Sequence, residues 1–84
     1  MNKITSLFVF IVNINGEEKI VMWPDDNKVS TPLVYVSEGD LIKDKMKEVV
    51  QALSTKYKIH FELREYTLVK VVESFDPMIT DLTM

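Results

Sequence analysis

Asn15-Gly16 lies between two apolar runs, and no other pair in the chain narrows the fold as much. A two-residue type I′ turn needs positive φ at both central positions, which Asn-Gly supplies most readily. That loop sets the register of a hairpin. Ile14 faces Glu17, Asn13 faces Glu18, Val12 faces Lys19 and Ile11 faces Ile20. Carried outward, the same register places Phe10 against Val21, Val9 against Met22 and Phe8 against Trp23. Side chains alternate along a strand, so Phe8, Phe10, Val21 and Trp23 share one face. Leu7, Val9, Ile11, Ile20 and Met22 share the other. Both faces are polar beside the turn and apolar away from it, so each needs a cover.

Beyond Trp23 the pattern changes. Pro24 cannot donate to a ladder, and Asp25-Asp26-Asn27 favours a turn. Lys28 to Thr31 reads as loop. Leu33 to Val36 reads as a short third strand, at a sheet edge because Pro32 leads it. Ser37 and Asp40 are alternative caps for a helix that follows. Ile42, Met46, Val49, Val50, Leu53 and Tyr57 then recur at helical spacing, an apolar stripe about 100° wide that suits a helix on a sheet. Lys43, Lys47, Gln51 and Ser54 fall on the opposite, solvated side. After Lys58, the run Ile59 to Arg64 alternates as a strand with one buried face and one wet face.

Glu65 to Phe75 is ambiguous: Leu68, Val71, Val72 and Phe75 sit at helical spacing, but the β-branched residues favour further strand, with a bulge or tight turn near Arg64-Glu65. Asp76-Pro77 suits a helix start. Met78, Ile79 and Leu82 could make one apolar turn, so 75–84 is either a short helix or a free end. The expected fold is α+β, one domain over residues 1–84. It has a small antiparallel sheet built from the hairpin, a short strand and a C-terminal strand or hairpin, with one amphipathic helix packed on one face.

Eighty-four residues leave room for one modest core, burying roughly 60% of the unfolded surface. A net charge of −3 opposes any partner that needs a strong positive field. No cysteine is present, which removes disulfides, thiol catalysis and thiolate metal sites. Leu7 to Val12 is too short to span a membrane, so a cytoplasmic protein without a membrane partner is expected. Lysine outnumbers arginine nine to one, a leaning shared with many phage and low-GC bacterial genes.

Chemistry-bearing patterns are sparse. The two glycines, Gly16 and Gly39, make no phosphate loop. Asp25-Asp26 lacks the alternating oxygens of a calcium loop. His60, the one histidine, falls on the wet side of its strand with no nucleophile or orienting partner evident. No cofactor, metal site or catalytic residue is expected. The residues point to a small non-catalytic module that binds a protein partner or its own copy, with a phage or mobile-element factor that inhibits a host protein as one form. Trp23, Tyr35, Phe8 and Phe10 are the candidate anchors, because interface energy concentrates in large aromatic side chains. The alternative is a small nucleic-acid binder that stacks bases on the same aromatics beside its lysines.

Overall fold

A computed structural model describes residues 3–78. The first strand, β1 (Ser6–Ile14), turns at Asn15-Gly16 into β2 (Glu17–Ile20). Asn15 and Gly16 take φ of 55° and 84°, and the Asn13 side chain accepts from the Gly16 N–H at 2.9 Å. The register from Ile11↔Ile20 to Ile14↔Glu17 is the one the turn dictates.

Past Ile20 the expected register fails. Phe10 N–H donates to Leu33 O, Leu33 N–H to Val21 O, and Val21 N–H to Phe10 O, at 2.9–3.1 Å. These bonds close a ring where three segments meet. The second strand therefore leaves β1 at Val21. It continues as β3 (Met22–Pro24), which forms its own ribbon with β4 (Ser30–Pro32). The strand beside Phe8 and Val9 is instead β5 (Val34–Tyr35). The segment read as loop, 28–31, thus carries strand residues at Ser30 and Thr31. Asp25 makes the return compact, because its Oδ1 accepts from the N–H groups of Asn27 and Val29.

Helix α1 (Leu41–Tyr57) is capped by Asp40, whose carboxylate accepts from the Ile42 and Lys43 N–H groups. It ends at Lys58 in the left-handed conformation, with Ser54 Oγ donating to Ile59 O at 2.7 Å. The last strand, β6 (His60–Thr67), pairs antiparallel with β1 from Asn13↔His60 to Ser6↔Thr67. That ladder is unbroken through Arg64-Glu65, so the expected bulge is absent. The sheet has β1 at its centre, with β6 on one side and β2 and β5 in tandem on the other. The small antiparallel sheet with one helix packed against it is the α+β architecture expected.

The helix side of the sheet holds the core. Phe10, Val21, Leu33 and Val50 are buried together, with Val12, Trp23, Tyr35, Met46, Phe61 and Leu63 against them. The helix is rolled from its expected setting. Ile42 and Tyr57 are largely exposed, whereas Lys43, expected on the solvated face, is only 2% exposed. Residues 43, 46, 50 and 53 make the inner line, because Lys43 buries its long aliphatic stem and carries its ammonium over the Phe8 ring.

Thr67 ends the ladder sooner than the β-branched run implied. Residues 69–78 stay extended, with no turn, bend or strand partner. The expected helical turn over Met78, Ile79 and Leu82 reaches past the described residues. A compact chain of this length has a radius of gyration of about 12 Å; here it is 17.8 Å, with a longest dimension of 63 Å. Residues 68–78 follow β6 with no turn or bend between them.

Candidate functional site

The sheet face away from the helix carries His60, Glu62, Arg64 and Tyr66 of β6, opposite Asn13, Ile11, Val9 and Leu7 of β1. Arg64 organises them. Its Nε donates to Glu62 Oε1 at 2.7 Å, and its Nη1 donates to Tyr66 Oη at 3.1 Å. The outer edge of the guanidinium grips both oxygens of Glu18, with Nη1 to Oε1 at 3.0 Å. Glu18 belongs to β2, so this fork crosses β1. Val9 and Ile11 beneath it are 5% and 7% exposed. A planar, weakly hydrated guanidinium can lie on aliphatic side chains while its edges hold carboxylates. It supplies, over β1, the second cover that the two-sided apolar hairpin demanded. Farther out the cover stops, and Leu7, Ile20 and Met22 remain exposed.

The electrostatics follow from these contacts. Hydrogen bonding to Arg64, and then its charge, holds the Glu18 carboxyl below the usual range. The His60 ring, 2.8 Å away, and Arg64 do the same to Glu62. Hydrogen bonds to Glu18, Tyr66 and Glu62 keep Arg64 protonated even more firmly than a free guanidinium. His60 is thus one end of a surface network, on the wet side where alternation placed it.

A second cluster lies at the helix start. Lys43 Nζ sits 5.5 Å from the Phe8 ring centroid and 3.1 Å from Asp44 Oδ1. Lys47 reaches the same Asp44 oxygen at 3.2 Å. The bonds from Lys43 and Lys47 hold the Asp44 carboxyl below its ordinary value. A recess of about 370 Å³ beside them is also lined by Glu38, Leu63, Arg64 and Glu65. Its charges are mixed and its cations are matched by carboxylates.

The four candidate anchors divide. Phe8 and Tyr35 are paired across β1 and β5, and Tyr35 meets Phe10 edge to face at 6.2 Å. Burial pushes the Tyr35 phenol above its ordinary value, with Asp40 adding to it. Phe10 is 2% exposed, inside the core. Trp23 stands apart on β3, half-buried against the same core. These aromatics therefore face the helix side, and no flat, open aromatic platform is formed by them.

The tail exposes several large apolar side chains close together in sequence. Leu68 N–H donates to Thr5 O at 2.8 Å, one step beyond the β1·β6 ladder. After that bond Val69, Val72 and Phe75 are 91%, 87% and 85% exposed. An apolar hollow of about 220 Å³, bounded by Ile4, Leu7, Tyr66 and Leu68, lies at the root. The sequence favoured strand over helix for this segment, within the chain's own sheet; residues 68–78 belong to neither a strand nor a helix. Among the described residues, no three His, Cys, Asp or Glu side chains are grouped to hold a metal ion, and no helix is long and apolar enough to cross a membrane. The chain matches no protein-family model, no curated protein and no solved structure.

Proposed function

We propose that this chain is a non-catalytic protein-binding module whose working part is the extended segment Leu68–Phe75. One observation carries the reading: a β-branched, apolar stretch leaves the sheet in extended form with its side chains in water. Unpaired strands of this composition bind by adding to another sheet, where main-chain hydrogen bonds supply affinity and alternate side chains supply selectivity. Isolated exposed apolar residues are ordinary, but a contiguous run marks an interaction surface.

Pull-down from the native host, comparing the parent chain with Val69→Asp/Val72→Asp, tests this reading. Both positions are exposed, so the variant keeps the fold. The expected outcome is a bound protein that the variant loses, while His60→Ala retains it. Equal capture by parent and variant, or loss with His60→Ala, refutes it.

A further inference from the structure

The chain carries both halves of a strand-addition contact. The tail is a strand without a sheet. The outer side of β6 is a sheet edge without a strand, because among the described residues β6 pairs as a strand only with β1. Tail and edge are consecutive parts of one run with no turn or bend between them. Donor and acceptor therefore lie end to end, and neither can reach the other within one copy. Two copies related by a two-fold axis satisfy both at once, each tail lying along the other copy's β6. We infer that the tail's partner is a second copy of this chain, in a homodimer in which residues 60–72 of the two copies pair antiparallel about Tyr66. This inference rests on the strand-addition reading above and names its partner.

Symmetry and side-chain chemistry select the register. A two-fold that sets two copies of one strand side by side antiparallel runs perpendicular to the sheet. Like faces then stay together, and opposed residues are an even number of positions apart. Pairing about Tyr66 sets Val71 opposite Phe61 and Val69 opposite Leu63, extending the helix-side apolar face. On the other face it sets Lys70 opposite Glu62, a favourable cross-strand charge pair. The adjacent allowed registers are worse. Pairing about Glu65 opposes two glutamates, and pairing about Thr67 opposes Lys70 with Arg64. Pairing about Leu68 places Glu73 against Leu63. The paired stretch is shorter than the ~20–30 residues a side of standard interfaces, so assembly is expected at micromolar rather than nanomolar concentration.

A single introduced thiol tests the register, since the chain has no cysteine of its own. Tyr66→Cys places two thiols across the axis at the separation of directly opposed strand residues, within reach of a disulfide. Mild oxidation should convert this variant to a covalent dimer much faster than Glu48→Cys, on the exposed helix surface. Sedimentation equilibrium at micromolar concentration should show a dimer for the parent and a monomer for Val69→Asp/Val71→Asp at unchanged melting temperature. A monomeric parent, or Tyr66→Cys cross-linking no faster than Glu48→Cys, overturns the inference. A monomeric parent that still captures a host protein through Val69 and Val72 removes the homodimer alone. A monomer whose capture ignores those residues removes the strand-addition reading as well.

Discussion

Arg64 on β6 and Glu18 on β2 are bonded to one another across the strand that separates them, over the buried side chain of Ile11. Glu18 and Glu62 both have carboxyl groups held below their ordinary value of 4.5 in the folded state. A depressed folded value means that this stabilisation is full above the unfolded value and is lost as pH falls through the folded one. Thermal melting should therefore drop on acidification below about 4.5, and Glu18→Gln should flatten that drop. The same slope in parent and variant would show that the fork contributes nothing to folding.

Lys43 is the buried charge of the described residues, and its carboxylate partner, Asp44, is half-exposed and also held by Lys47. Removing the ammonium therefore strands no buried carboxylate. Lys43→Met, which keeps the stem's volume, should leave stability unchanged or raise it. Lys43→Ala should cost about 1–3 kcal/mol through lost packing. Denaturant melts of the two variants separate packing from charge. If Met is as damaging as Ala, the ion pair rather than the stem holds the helix down.

Two backbone sites have sharp expectations. Gly16 has no neighbour within 4 Å of an added Cβ, so Gly16→Val meets only the cost of positive φ, about 1–3 kcal/mol. Asp40→Ala removes the acceptor for two helix N–H groups and should cost about 1 kcal/mol, while Asp40→Asn should be nearly silent. Equilibrium unfolding measures both. A stable Gly16→Val would mean that the turn tolerates another geometry.

Trp23 separates core packing from surface anchoring. It is half-buried against Phe10 and its neighbours, so Trp23→Ala should lower stability by about 1–3 kcal/mol. Capture of a partner, measured well below the new melting point, should persist if the tail is the binding element. Lost capture at unchanged melting temperature would move the anchor to Trp23.

What the sequence disclosed was local. Asn-Gly set the hairpin register as far as Ile11↔Ile20, and the alternation of Ile59–Arg64 placed Phe61 and Leu63 inward. What it concealed depended on distant competition. Nothing in the spacing of Phe8 and Trp23 says that Val34 and Tyr35 will displace the hairpin's own second strand. That choice is made by the ring of bonds among Phe10, Val21 and Leu33. Lys43 was hidden because helical periodicity sorts residues by polarity, whereas a four-carbon stem packs as an apolar group. The tail was misplaced for a related reason: β-propensity reports fitness for a pleated surface and says nothing about whose sheet provides it.

The central position of β1 also orders events in time. Its hairpin partner is synthesised next to it, but the whole length of its other side is reserved for β6, about fifty residues later. Until Thr67 has been made, Val9 and Ile11 have neither Arg64 nor Glu62 above them, and the edge that β6 will occupy is bare. Closure of the sheet must then pair two distant segments, which makes it the slow step of folding. During that interval the nascent chain exposes an apolar strand edge of its own, a risk that ends only when its last strand arrives.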